Sequence, residues 1–440
     1  MKLNQSSGTT IERTHEGAPA KRINAELELR RSVMSCLLWE SEFYESGTSI
    51  ASRIAELVPK VAPEHVAGMA IEARSKMKLR HVPLLLVREM AKHKSHKPYV
   101  RATLASVIQR ADELTEFLAI YWKDGKQPLA KSVQRGLADA FTKFSAYDLA
   151  KYNQDNDIKL RDVLFLSHAK PNSADQAQIW KQLIDGTLPT PDTWEVGISA
   201  TKNKQGEWTR LLQEEKLGAL ALLRNLRNMQ QADVSSSLIK EALRNIKTDR
   251  VLPFRFLAAL RYGPQFASEL DAAMLKCTAN LPKLSGTTVV LVDVSGSMYG
   301  RPLSAKSDMD RSDAAAGLAV LAREVSDNPR VFTFSRLLKE IPNYRGLALV
   351  SAVHDSQTHS STFLGQAIKE LNASVKYDRL IVITDEQSGD AVPNPLSKGY
   401  VINVASNKNG IGYGQWMHID GWSERVLDYI NAYEQIKDGE

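Results

Sequence analysis

The stretch that most limits what this chain can fold into is Val289-Val290-Leu291-Val292-Asp293-Val294-Ser295-Gly296-Ser297-Met298. An apolar, largely β-branched run offers no polar face to water, so it predicts a strand covered on both sides, as in a parallel sheet. The run ends at an acid. Asp-x-Ser-x-Ser at the C-terminal end of a strand sets one carboxylate and two hydroxyls, at alternate positions, around a single point in the following loop. Three hard oxygen ligands suit Mg²⁺, which keeps waters and favours octahedral coordination. Taken alone, the same residues read more readily as N-caps of a strand-to-helix turn.

From Gly286 onward, strand and helix patterns alternate. Strand 287–293 is followed by a helix near 308–326, strand 330–334 and a short strand at Leu347-Ala348-Leu349-Val350. Helix 363–374, strand 379–384, strand 399–404 and a closing helix 423–436 complete the series. This order predicts a doubly wound α/β sheet with its site at the C-terminal ends of the strands.

The Asp-x-Ser-x-Ser loop resembles the metal-ion-dependent adhesion site of von Willebrand factor A domains, whose remaining ligands come from two later loops. Ser360-Ser361-Thr362, ahead of the helix-like Phe363-Leu364-Gly365-Gln366-Ala367-Ile368, supplies a hydroxyl at the matching place. Leu380-Ile381-Val382-Ile383-Thr384-Asp385 is a second buried strand ending in an acid. The resemblance therefore implies a divalent cation, Mg²⁺ in the first place or Mn²⁺, held by Asp293, Ser295, Ser297, Thr362 and Asp385.

The sequence before Gly286 is of another kind. Residues 1–22 are polar, with Gly8, Gly17 and Pro19, and read as an arm. From Asn24 to about Leu284 nearly everything has helical period. Segments fall near 25–39, 49–59, 63–74, 82–93, 100–121, 129–150, 159–167, 173–184, 209–231, 235–246, 252–261 and 265–280, with prolines in or beside the breaks. Many short amphipathic helices in series predict stacked, degenerate HEAT-like pairs. Three regions result: an arm (1–22), a helical-repeat module (23–285) and an A-type α/β domain (286–440).

Charge separates the last two. Residues 286–440 hold 15 basic and 19 acidic side chains, a net of −4, whereas residues 1–285 hold 42 and 32, a net of +10. A polyanionic partner is expected on the helical part. Within 129–144, Leu129, Val133, Leu137 and Phe141 form a buried stripe, and Lys131 and Arg135 lie together on the opposite side. Arg224 and Arg227, three apart beside Leu223 and Leu226, make a second pair, with Asn225 and Asn228 as possible hydrogen-bonding neighbours. Lys76, Lys78, Arg80 and His81 cluster at a helix-to-helix turn before Pro83. Solvated helix faces are the plain alternative for each group. The two cysteines, Cys36 and Cys277, have no metal-type spacing, and no apolar run is long enough for a membrane helix, so a cytoplasmic protein is expected.

Several phrases carry a second resemblance. Glu16-Gly17-Ala18-Pro19-Ala20, Lys78-Leu79-Arg80-His81-Val82-Pro83-Leu84-Leu85-Leu86, Lys151-Tyr152, and Leu160-Arg161-Asp162-Val163 leading to Ser167-His168-Ala169-Lys170-Pro171 are four of them. Leu222-Leu223-Arg224-Asn225-Leu226-Arg227-Asn228 and Leu252-Pro253-Phe254-Arg255-Phe256 are two more. Together they resemble the TROVE module of the Ro autoantigen family, of bacterial or phage type, in which a ring of helical repeats is closed by a C-terminal A domain. The resemblance implies a non-catalytic RNA-binding ring that takes single-stranded 3′ ends of misfolded RNAs and a small structured non-coding RNA similar to Y RNA. It implies an exoribonuclease partner, as in bacterial members; a monomer that engages neither DNA nor a membrane is expected. Lys151 and His168 match positions that contact structured RNA in the family, but a neighbouring position, often basic there, is Asp155 here and would repel phosphate. A plain N-cap or packing role before Pro171 is the alternative for His168.

Catalysis finds little support. Ser295 has no His in its motif, Val-Ser-Gly-Ser-Met is not a Gly-x-Ser-x-Gly elbow, and no phosphate-binding Gly-Lys-Ser/Thr loop is present. The rival class is a metal-dependent protein-interaction scaffold whose A domain binds an acidic partner residue without RNA. A hydrolase using Ser295 or Ser297 is a distant third.

Overall fold

A computed structural model describes residues 24–35, 47–249, 251, 253–279, 281–300, 308–385, 388–404, 415–420 and 426–437. The expected arm at 1–22, the Glu16–Ala20 phrase, residues 36–39 with Cys36, Leu252 and the start of the expected 423–436 helix lie outside them. The described residues form two compact units, one within 24–216 and the other within 217–437.

The first unit is helical: α1 (Ala25–Ser35), α2 (Gly47–Leu57), α3 (Pro63–Ser75), α4 (His81–Lys92), α5 (Lys97–Val107), α6 (Asp112–Tyr121), α7 (Lys131–Phe141), α8 (Ala146–Tyr152), α9 (Leu160–Ser167), α10 (Ala174–Asp185), α11 (Trp194–Ala200) and α12 (Lys204–Gln213). Segments expected as single helices are divided by polar caps. The 100–121 segment breaks because the buried Glu113 carboxylate accepts the amides of Gln109 (2.7 Å) and Arg110 (3.1 Å), which tie the chain into a new helix start. The same carboxyl group pairs with buried Arg74 of α3 at 2.6 Å. The 129–150 segment breaks where Ser145 and Asp148 form a capping box at the start of α8. On α7, Val133, Leu137, Ala140 and Phe141 are buried, as the four-residue spacing requires. A methyl group on Gly136 would stand 3.0 Å from the Arg101 carbonyl, so glycine is what lets α5 and α7 approach.

The second unit begins with α13 (Ala219–Arg224), α14 (Leu226–Gln231), α15 (Ser236–Arg244), α16 (Pro253–Tyr262) and α17 (Ala267–Thr278), and continues into the α/β fold. There follow β1 (Leu284–Asp293), α18 (Arg311–Glu324), β2 (Ser326–Phe334), β3 (Leu338–Ile341), α19 (Gly346–His354), α20 (Leu364–Ser374), β4 (Arg379–Thr384), β5 (Lys398–Asn403), β6 (Trp416–Asp420) and α21 (Val426–Lys437). The sheet order is β3-β2-β1-β4-β5-β6, parallel except for the β2–β3 hairpin.

Helices α16 and α17 pack on the α/β elements. A methyl group on Gly317 of α18 would lie 3.2 Å from Leu257 of α16, and Asp271 of α17 accepts the Leu347 amide at 2.8 Å. That last bond explains a correction. Leu347–Val350, read as a strand, is the first half of α19, because Gly346 at φ +54° turns the chain and Leu349 and Val353, four apart, are buried. Four apolar residues do not distinguish the two periods. Strands β3 and β6 were not foreseen; Lys339 and Glu340 on β3 are exposed and break the apolar pattern. Among the described residues no helix is long and apolar enough to cross a membrane.

Candidate functional site

Adjacent parallel strands bring their ends together, and here that places Asp293 beside Asp385. β1 and β4 are in register through Val292 and Ile383. Asp293 is fully buried; one oxygen accepts the Ser295 amide at 2.8 Å and the other the Thr384 hydroxyl at 2.6 Å. The Ser295 and Ser297 hydroxyls stand 3.2 Å apart. The Thr362 loop is carried to the same place by the Gly296 amide bonding Ser360 O (3.1 Å) and the Gly389 amide bonding Thr362 O (3.0 Å). Burial, and then the nearby Asp385 charge, push the Asp293 carboxyl up to about 7, against hydrogen bonds from Ser295 and Thr384 that favour the ionised form.

Asp385 is also fully buried. Its Oδ2 accepts from Arg311 Nη1 at 3.0 Å, while its Oδ1 meets no hydrogen-bond donor among the described residues. Two close carboxylates with an orphaned oxygen, beside paired hydroxyls, form a donor set that fits a hard divalent cation. Among the described residues no three His, Cys, Asp or Glu side chains converge, so hydroxyls would have to complete the shell. Thr384 and Arg311 were missed from the sequence. Thr384 was visible as the residue before the strand-end acid; Arg311 follows Asp310 at a readable helix start.

The basic candidates have different fates. Lys131 and Arg135 are exposed on α7, opposite its buried stripe. Arg224 and Arg227 are exposed too, but on two helices, since the chain breaks at Asn225; the Arg227 guanidinium lies 5.9 Å from the Tyr262 ring centre. Asn225 is buried and donates to Ala221 O at 2.9 Å, and Asn228 donates to Asn225 at 2.8 Å, so these amides knit the break.

Around the turn before Pro83, Lys76 is exposed, whereas Lys78, at φ +58°, bonds the Ser75 carbonyl. Arg80 is drawn onto α6 by Asp112 (2.9 Å) and Glu116 (2.6 Å), and His81 lies 3.5 Å from Glu116. Lys151 lies against the rings of Tyr147 and Tyr152, at 5.7 and 5.6 Å. His168 is exposed and caps the C-terminal end of α9 in the left-handed region, φ +53°. Asp155 pairs with Lys159 at 2.7 Å, which offsets the acid at this surface.

One concave feature was not anticipated. A cavity of about 430 Å³ is lined by Trp122, Lys126, Gln127, Pro128, Asp157, Ile158, Asp162 and Leu166. The Lys126 ammonium lies 5.3 Å from the Trp122 ring centre, and Gln134 of α7 donates to Leu166 O at 3.1 Å. The pocket therefore adjoins the helix that carries Lys131 and Arg135.

The TROVE domain family model matches residues 24–187 and 186–262, more than half of the chain. The chain belongs to the TROVE domain family. A crystal structure of the Ro (RSR) protein of Deinococcus radiodurans superposes with a TM-score of 0.66 at 20% identity, covering 93% of this chain and 99% of that one. It shows the same fold: helices in the TROVE region followed by an A-type α/β domain. Telomerase protein component 1 of mouse is 37% identical over 78 residues, and that of rat 36% over 78. Each match covers 16% of this TROVE chain and 3% of the relative, so the chain spans only a small part of those proteins.

Proposed function

We propose that the protein is a non-catalytic RNA-binding scaffold that holds a small structured non-coding RNA of the Y RNA type and single-stranded 3′ ends. It would act in RNA quality control, maturation or decay, as a cytoplasmic monomer that serves as an adaptor for an exoribonuclease. The observation that carries the reading is the cationic face of α7. Lys131 and Arg135 are exposed on the side away from the core, in a chain whose family is known for binding RNA. The exposed Arg224 and Arg227 supply further phosphate contacts, and the Trp122 cavity offers an aromatic surface for an unpaired base. A catalytic reading of Ser295 finds no pairing to support it: among the described residues its hydroxyl lies 3.2 Å from that of Ser297, while His359 bonds Val294 O through Nδ1 at 2.9 Å.

In this reading Asp293, Ser295, Ser297, Thr362 and Asp385 hold Mg²⁺ or Mn²⁺. When bound, the cation neutralises two buried carboxylates and can accept an acidic group from a partner. Asp293 and Asp385 provide the charge, Ser295 and Ser297 the neutral oxygens, and the 360–362 loop the fifth ligand.

The test is RNA that co-purifies with the full chain and is lost on RNase treatment, read as absorbance near 260 nm, with the crosslinked RNA sequenced. Enrichment of structured non-coding RNA is expected. A protein free of RNA that binds neither structured nor single-stranded probes would favour the metal-dependent protein scaffold instead.

A further inference from the structure

We propose that Arg311 is a built-in competitor of the divalent cation, so that metal binding at Asp293 and Asp385 is weak and depends on this guanidinium letting go of Asp385. The inference rests on the metal-site reading and adds to it a residue that sets the site's affinity.

Arg311 is the first residue of α18 and only 8% exposed, with Nη1 3.0 Å from Asp385 Oδ2. The cluster thus holds two buried carboxylates and one buried guanidinium. An arginine placed simply to satisfy an aspartate commonly grips both oxygens with its fork. Here only one oxygen is taken, and the other meets no donor among the described residues. The hydrogen bonds to Asp293 from the Ser295 amide and the Thr384 hydroxyl come from neutral groups, unlike the cationic donor on Asp385.

The start of α18 has an anchor that does not involve Arg311. Asp310 and Asp313 form a capping box, the Gly300 amide bonds Asp310 at 3.0 Å, and Arg261 of α16 bonds both Asp313 and the Asp308 carbonyl. The Arg311 guanidinium, buried and in contact with a proposed metal ligand, acts on the charge of the site whatever else it touches. It offsets negative charge at the Asp293–Asp385 pair, and a divalent ion that enters must meet a positive group in a poorly screened interior.

The test is Mn²⁺ binding to the full chain, by calorimetry and by loss of the free-ion EPR signal, with melting curves in EDTA and in saturating Mn²⁺. Arg311→Gln should bind Mn²⁺ about tenfold or more tightly than the parent. It should melt lower in EDTA, where two carboxylates face each other without a cation, and the deficit should shrink or reverse in Mn²⁺. Arg311→Lys keeps the charge and should stay within about threefold of the parent. Equal or weaker Mn²⁺ binding by Arg311→Gln, with the parent binding measurably, overturns the competitor role and leaves the metal site standing. No Mn²⁺ binding by either protein overturns both. A Gln variant that folds in neither condition makes Arg311 a structural anchor and also overturns the proposal.

Discussion

The helical α7 and the α/β site use ionised side chains in opposite ways. On α7, Lys131 and Arg135 point into solvent with the apolar stripe behind them. At the strand ends Asp293, Asp385 and Arg311 are buried together. An exposed cation is screened by salt, costs little to replace and acts nearly independently of its neighbours. A buried charge has lost its water, so each partner's removal exposes the desolvation cost of the others. The first arrangement suits a long polyanion, in which many weak contacts add. The second suits a single ion at a fixed point.

The largest effect that would sharpen this contrast is on stability. Arg379 is buried, with Glu434 of α21 gripped by its guanidinium fork and Thr288 accepting at 2.9 Å; Glu434 also accepts from Tyr400 at 2.8 Å. Replacing Arg379 by Met should cost about 3–5 kcal/mol, because Glu434 keeps its burial and loses its main counter-ion. Lys131→Gln with Arg135→Gln should change stability by less than about 0.5 kcal/mol. Urea unfolding of the full chain measures both, and equal losses would break the comparison.

Next in size is metal-linked stability. Mg²⁺ or Mn²⁺ should raise the melting temperature of the α/β elements above that in EDTA. Asp293→Ala should abolish that rise without necessarily lowering stability in EDTA, since it removes both a ligand and a buried charge. A parent melting curve indifferent to both ions would contradict this.

A smaller change is expected in RNA binding. Lys131→Gln with Arg135→Gln, and separately Arg224→Gln with Arg227→Gln, should each weaken single-stranded RNA binding, to a similar degree for every sequence tested. The smallest effect belongs to the turn before Pro83. Arg80→Gln should alter stability more than RNA affinity, since Asp112 and Glu116 already hold its guanidinium. Filter binding and melting of the same variant separate the two, and a selective loss of RNA affinity would return Arg80 to the interface.

What the sequence made legible follows the same division. Strand ends β1 and β4 were readable because a run covered on both faces is apolar throughout and its terminal acid stands out. The stripe on α7 was readable by its period. Arg311 was not, because proximity to Asp385, 74 positions along, is created by the fold. Nor could spacing show that Arg80 and His81 face acids of α6, or that Trp122 and Leu166 line one cavity. Spacing also missed that α16 and α17 pack on α18 and α19, so a cut at 285 would uncover Leu257 and Asp271. Substitutions in the whole chain are therefore the sounder probes.

The claim that RNA is held by exposed cations of the TROVE region is tested most directly by the salt dependence of affinity for a single-stranded RNA, with the parent compared to Lys131→Gln/Arg135→Gln. Each phosphate contact to a single strand contributes about 0.7 to the slope of log affinity against log salt, so losing two should flatten it by about 1.4. The parent is expected to show a steep slope and the double variant a correspondingly shallower one, in Mg²⁺ and in EDTA at matched ionic strength. An unchanged slope in the folded variant, or affinity that vanishes in EDTA, would contradict it.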